Sequence, residues 1–144
     1  MKTLLISLLV LISATNFKSC GNNKKSDAKV KDIIIDENMV VSPPKDETIR
    51  LNVKMLKNFI MELTVEYNGC EDDEFDLLFN NMWLKSMPPK ANLFLIKNEA
   101  NCKSKKNYTK TYLFDVSKLK YSSSKTVMIR IKNYTEYFKF SYDQ

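Results

Sequence analysis

The chain contains no histidine, two glycines and one tryptophan among its 144 residues. Histidine is the usual general base at neutral pH and the commonest metal ligand, so any catalysis here would rest on carboxylates, Lys, Tyr or Cys. Two glycines are too few for the loops of bare backbone that cradle phosphates and dinucleotides. These absences argue against most nucleotide-dependent and metal-dependent enzymes, and we predict that the protein has no cofactor.

The N-terminal residues have the layout of a secretory signal. A short start with one positive charge precedes the apolar run from Leu4 to Ala14. Such runs span about 7 to 15 residues in signal peptides, whereas a transmembrane helix needs about 20 apolar residues. We therefore predict export, with residues 1–19 as the signal peptide.

The segment that follows the apolar run ends in a cysteine. Phe17-Lys18-Ser19-Cys20 resembles the lipobox of bacterial lipoproteins, in which cleavage occurs just before a cysteine that becomes acylated. Ser19 matches the small residue of that pattern, whereas Phe17 and Lys18 depart from it. The resemblance implies that an acylated Cys20 anchors the protein to a lipid bilayer of the cell envelope, on the periplasmic or outer-surface side. Cleavage near Thr15 is the alternative, and it would release a soluble protein.

Three cysteines are an odd number for an exported chain. If Cys20 is acylated, Cys70 and Cys102 remain as an even pair. A disulfide between them would close a loop of about 33 residues and contribute about 3.5 kcal/mol on the chain-entropy account. In the other interpretation Cys20 pairs with one of the two or stays free.

Residues 20–47 are mostly polar and form the predicted lipid-anchored tether, which is partly flexible. A tether of about 27 flexible residues would span about 30 Å. Two apolar patches, at 33–35 and 39–41, are not typical of a tether. We expect them to form a short edge strand on the folded domain or to dock on a partner.

Residues 48–144 form the predicted domain, and their apolar residues recur with period two. That period is typical of half-buried antiparallel strands. Seven strands are predicted, at 48–55, 59–67, 74–80, 91–97, 108–114, 125–131 and 136–142. We predict an all-β fold, an antiparallel β-sandwich of immunoglobulin-like type. A small closed β-barrel is the alternative.

Six short motifs within residues 68–119 resemble a pattern of small exported bacterial proteins and lipoproteins of unassigned function. They are Gly69-Cys70, Phe75-Asp76-Leu77, Ser86-Met87-Pro88-Pro89, Leu93-Phe94-Leu95, Cys102 and Phe114-Asp115-Val116-Ser117-Lys118-Leu119. The resemblance implies a disulfide between Cys70 and Cys102 and a sandwich fold. Histidines of that pattern are replaced here in the neighbourhoods of Asp73 and Lys97, so a metal-binding role does not transfer.

The densest acidic cluster is the run from Glu71 to Glu74, followed by Asp76. A Cys70–Cys102 disulfide would bring this run beside the basic run Lys103 to Lys106, and we expect the two runs to neutralise each other. Clustered carboxylates also bind Ca²⁺ or act as catalytic acids and bases. We predict no metal site and no catalytic residue, because the spacing of an EF-hand and any nucleophile motif are both missing.

Met82 and Trp83 are the candidate contact residues, predicted in the loop after the strand at 74–80. Large aromatics cover the core or act as contact hot spots. The net charge of +6 and several tyrosines resemble a nucleic-acid surface. Export removes the protein from cytoplasmic nucleic acid, so we predict an unknown envelope protein or glycan as the partner.

These observations predict a membrane-anchored envelope lipoprotein with a non-catalytic β-sandwich that acts as a binding or structural module. A soluble secreted glycoprotein or inhibitor domain is the alternative, favoured by the sequons that begin at Asn107 and Asn133. An exported hydrolase is the remote alternative. It would require Glu71, Asp73 or Asp76 to face a cleft with a raised pKa.

Overall fold

The computed structural model describes residues 29–39 and 43–142, and two β-sheets account for most of them. The predicted signal peptide, Cys20 and residues 21–28 of the predicted tether lie outside the described residues, as do Val40 and Val41 of the second apolar patch. The strands are β1 (Val30–Asp32), β2 (Ile34–Ile35), β3 (Arg50–Met55), β4 (Ile60–Gly69), β5 (Glu74–Leu84), β6 (Lys90–Asn98), β7 (Lys106–Asp115), β8 (Thr126–Ile131) and β9 (Phe138–Ser141). A short 3-10 helix, Ser117–Leu119, follows β7. No helix of the described part is long and apolar enough to cross a membrane.

The core lies between the two sheets and is built by alternate residues of each strand. In β4, Met61, Leu63 and Val65 have no exposed surface, while their neighbours face solvent. Leu93 of β6 and Ile129 of β8 do the same from the other sheet. Because strands such as β4 and β8 have one apolar and one polar face, the sheets pack face to face and bury both apolar faces.

The first sheet has the strand order β1-β7-β4-β3 and the second has the order β2-β5-β6-β8-β9. The all-β sandwich prediction is confirmed, and the seven predicted strands appear as β3 to β9. The described residues form two separate sheets and not the alternative closed barrel. The sheets are mixed and not purely antiparallel, since β1–β7, β2–β5 and β6–β8 are parallel pairs. After β6 the chain crosses to the first sheet as β7 and then returns, so β8 runs in the same direction as β6.

One edge of the sandwich is formed by residues that the sequence placed in the tether. Two residues of the predicted edge strand at 33–35 form β2 (Ile34–Ile35), and the residues just before it form β1 (Val30–Asp32), so both sheets include strands that precede residue 48. Ile33, between the two strands, is 1% exposed where the chain passes from one sheet to the other. Lys31 links the sheets as well, because its Nζ donates to the Phe75 carbonyl at 2.8 Å and pairs with Asp76.

The crossing at Ile33 yields a first prediction. Ile33→Val removes one buried methylene, and we expect the free energy of unfolding to fall by about 1 kcal/mol. Ile34→Val is the matched control, because Ile34 is 44% exposed, and its effect should stay within about 0.5 kcal/mol. Urea denaturation of both variants measures the difference. Equal effects at the two positions would contradict the role of Ile33 as the residue that secures the edge.

Candidate functional site

The disulfide predicted between Cys70 and Cys102 is present, with the two Cα atoms 5.7 Å apart. Cys70 follows the end of β4 in the first sheet, and Cys102 lies in the loop after β6 in the second. The bond therefore joins the two sheets at one corner of the sandwich, which we call the disulfide corner.

Asp73 is the buried polar centre of the disulfide corner, with 1% of its surface exposed. Its carboxylate accepts hydrogen bonds from the backbone N–H of Cys70 at 3.1 Å and of Ala100 at 2.8 Å. The Lys97 ammonium lies 3.4 Å away. A Cβ atom on Gly69 would lie 2.1 Å from Asp73 Oδ2, so this position has no room for a side chain.

Two opposing effects determine the pKa of Asp73. Burial alone would raise it, but the two backbone hydrogen bonds and the Lys97 charge outweigh burial and lower the pKa below its usual value. A general acid at neutral pH needs the opposite shift. Asp73 therefore lacks the raised pKa that the hydrolase hypothesis required, and it acts as a structural ion that holds Cys70 and Ala100 together.

The expected pairing of the acidic run with Lys103 to Lys106 is not found, because other cations pair with the run. Lys97 pairs with Asp73, Lys110 lies 3.1 Å from Glu74, and Lys31 pairs with Asp76, while Glu71 and Asp72 are exposed. The cations therefore come from β1, β6 and β7, which lie beside the run. Among residues 29–39 and 43–142, no three acidic or cysteine groups are placed to hold a metal ion.

An apolar opening lies at the end of the sandwich where β5 stops and β6 begins, and we call it the end cleft. Its volume is about 520 Å³. The residues that line it are Trp83, Leu84, Lys85, Ser86, Met87, Pro89, Tyr121, Ser123 and Ser124. The end cleft thus combines two aromatic rings, two exposed aliphatic side chains and one cation in a concave surface.

Trp83 belongs to β5 and not to a loop after it, which corrects the prediction. The pairing of β5 with β6 is irregular between Phe79 and Trp83, and Asn81 there has a φ of 57°. Such an irregularity bends a strand and redirects its side chains. The strand therefore continues beyond Asn80 and Asn81, and Trp83 reaches the end cleft.

Aromatic contacts hold Trp83 in place. Its ring packs edge-to-face on Phe79, with centroids 5.3 Å apart, and on Tyr121 at 4.9 Å. Tyr121 is itself fixed, because its backbone N–H donates to the Tyr142 hydroxyl. Trp83 is therefore partly core and partly cleft wall, whereas Met82 points away and is 63% exposed.

Two serine hydroxyls at the end cleft are hydrogen-bonded to backbone carbonyls. The Ser86 hydroxyl donates to the Pro88 carbonyl at 2.7 Å, and the Ser124 hydroxyl donates to the Thr126 carbonyl at 2.6 Å. No carboxylate is among the described residues that line the cleft. Both hydroxyl hydrogens are thus directed at backbone carbonyls, and the exposed parts of the cleft are mainly apolar and aromatic.

Sequence reasoning found Trp83 and its neighbour Leu84 but did not name Met87 or Tyr121 as contact residues. Met87 is 91% exposed and Leu84 is 44% exposed, which is unusual for large apolar residues of a domain this size. Pro88-Pro89 was the sequence signal for an exposed Met87, because proline cannot donate a backbone hydrogen bond to a neighbouring strand.

Comparison of the chain with known protein families, with curated proteins and with solved structures found no match.

Proposed function

We propose that the protein is a membrane-anchored lipoprotein of the cell envelope, held by an acylated Cys20. Its β-sandwich acts as a non-catalytic binding or structural module. The end cleft is the surface that contacts an envelope protein or glycan, with Trp83 and Tyr121 as its aromatic anchors.

The Cys70–Cys102 disulfide is the observation that carries this proposal. Because these two cysteines bond to each other, neither is available to Cys20. Structural disulfides form and persist in oxidising compartments, which agrees with export. An exported chain with one remaining cysteine just after an apolar leader is well explained by acylation of that cysteine.

The intact mass of the mature protein tests the anchor. We expect protein extracted from membranes of its natural host to begin at Cys20, to carry acyl chains, and to lack two hydrogens at the disulfide. Cys20→Ala should move the protein from the membrane fraction to the soluble or unprocessed fraction. A soluble wild-type protein that begins near Thr15 with an unmodified Cys20 would rule the proposal out.

The same measurement distinguishes the glycoprotein alternative. Asn107 and Asn133, which begin the two sequons, are both exposed. The Asn107 side chain accepts a hydrogen bond from Asn68 at 2.8 Å. The Asn133 amide nitrogen donates to the Pro43 carbonyl at 3.3 Å, and a glycan on that nitrogen would disturb this second bond. Added hexose masses on either asparagine would favour the secreted glycoprotein over the lipoprotein.

A further inference from the structure

The outward face of β6, β8 and β9 carries cations in adjacent rows. Strand pairing places Lys90 beside Met128, and Met128 beside Lys139. In the next row Asn92 lies beside Arg130. We call this surface the basic face, and its cations are Lys90, Arg130, Lys132 and Lys139.

In the described strand register no acidic residue lies directly opposite Lys90, Arg130 or Lys139, whereas β3 and β4 place cations opposite carboxylates. On β3 and β4, Arg50 lies opposite Glu66 and Lys54 lies opposite Glu62. Within the described ranges, no carboxylate oxygen lies within 4 Å of any of the four cations of the basic face. One acidic residue, Glu136, lines a shallow groove beside Arg130. The basic face therefore presents four cations with one carboxylate beside them, and its charge is positive.

The cations are also held in place. Arg130 Nε donates to Asn92 Oδ1 at 2.7 Å, and the Tyr137 hydroxyl donates to the same oxygen at 2.9 Å. The guanidinium of Arg130 and the ammonium of Lys90 lie 4.6 Å and 5.0 Å from the centroid of the Tyr137 ring. Lys132 lies 5.6 Å from the Phe94 ring. Cation–π contacts fix position without neutralising charge, so the positive ends remain available to an anion.

We propose that the basic face docks on the anionic phospholipid headgroups of the bilayer in which the chain is anchored. This inference rests on the proposed lipid anchor at Cys20. Docking of this face determines which side of the sandwich faces the membrane and leaves the end cleft at the side, open to partners.

Chain length and surface shape both favour a bilayer as the anion. Nine residues, 21 to 29, separate Cys20 from Val30, and even fully extended they span at most about 30 Å. An acylated Cys20 therefore keeps the edge of the sandwich at β1 near the headgroups. A sheet face presents its cations in a plane, as a bilayer presents its phosphates, and Tyr137 and Met128 between the cations suit the interface between water and lipid.

Lysine acetylation on vesicles tests the proposal. The full acylated protein is reconstituted on phosphatidylcholine vesicles and on vesicles that also contain phosphatidylglycerol, floated, and labelled briefly with an acetylating reagent. We expect Lys90, Lys132 and Lys139 to react about fivefold more slowly on the anionic vesicles, as attraction of about 1 kcal/mol for each basic residue implies. The exposed residues Lys103, Lys105 and Lys106 beside the disulfide are internal controls and should react equally on both. The protection should vanish in about 1 M salt, where the screening length is about 3 Å.

A charge-reversal pair adds a second readout. Lys139→Glu, at an exposed position, should weaken the protection of Lys90, whereas Lys103→Glu should leave it unchanged. Equal labelling on both kinds of vesicle, with the protein still floating, would overturn the docking and leave the lipid anchor intact. Failure to float with either kind would overturn both proposals. Protection by inorganic phosphate alone, or only by an added acidic polysaccharide, would assign the basic face to a different anion and overturn the bilayer.

Discussion

Replacing Cys70 and Cys102 together by alanine is expected to lower the free energy of unfolding by about 3.5 kcal/mol. The two cysteines are 32 positions apart, and their bond closes that loop in the unfolded chain and so reduces its conformational freedom. The bond also joins β4 of one sheet to the loop after β6 of the other. Its loss therefore permits the two sheets to separate at this corner.

Urea denaturation of the double variant and of the wild type, each with and without reductant, measures this effect. Reductant should destabilise the wild type by about the same amount as the double substitution and leave the double variant unchanged. Cys70 is buried, so the alanine substitution removes sulfur packing as well as the bond. Reductant breaks the bond but keeps both sulfur atoms. Equal losses of stability by the two treatments would therefore show that the loss comes from the bond. A loss below about 1 kcal/mol by both routes would contradict the loop-closure account.

Strands that are buried on one face only were the most predictable from the sequence. The alternation in β4 and in β8 is uninterrupted, and it located both strands without reference to any other part of the chain. The same alternation does not indicate the direction of a strand or which strand lies beside it in the sheet. It therefore did not reveal that β8 pairs in parallel with β6, because a parallel and an antiparallel neighbour bury the same set of residues.

The candidate site was predictable only in part, because its residues are remote in sequence. Trp83 lies in β5, and Tyr121 follows β7 of the other sheet. Their rings come into contact only after the chain has crossed to the first sheet and returned, and no local sequence pattern encodes that contact. The disulfide corner shows a related limit. Cysteine counting predicted the bond, but the cation that reaches Asp73 is Lys97 of β6 and not the basic run after Cys102, because Asp73 turns inward.

Asp73→Ala is expected to destabilise the fold by about 3 to 5 kcal/mol, the usual cost of removing one partner of a buried ion pair. The substitution leaves the backbone N–H groups of Cys70 and Ala100 without their acceptor. It also leaves Lys97, whose side chain is 13% exposed, without its most buried counter-charge. Thermal or urea denaturation at neutral pH measures the loss, and Asp72→Ala at the exposed neighbouring position is the matched control. Similar losses at the two positions would contradict the role assigned to the Asp73 carboxylate.

The contribution of Asp73 should also depend on pH, with a sign fixed by its lowered pKa. Because the folded state holds the carboxylate ionised below the pKa of the unfolded chain, the stabilisation is complete above about pH 4 and is lost as the pH falls through the folded pKa. The stability difference between the wild type and Asp73→Asn should therefore be constant from neutral pH down to about pH 4 and shrink below it. Hydrogen bonds from Thr48 and Ser117 also lower the pKa values of Asp46 and Asp115, but both residues are present in both proteins and cancel in the difference. A difference that grows on acidification would mean that Asp73 is protonated more easily in the folded state, and the ion pair with Lys97 would then not be the interaction that stabilises the disulfide corner.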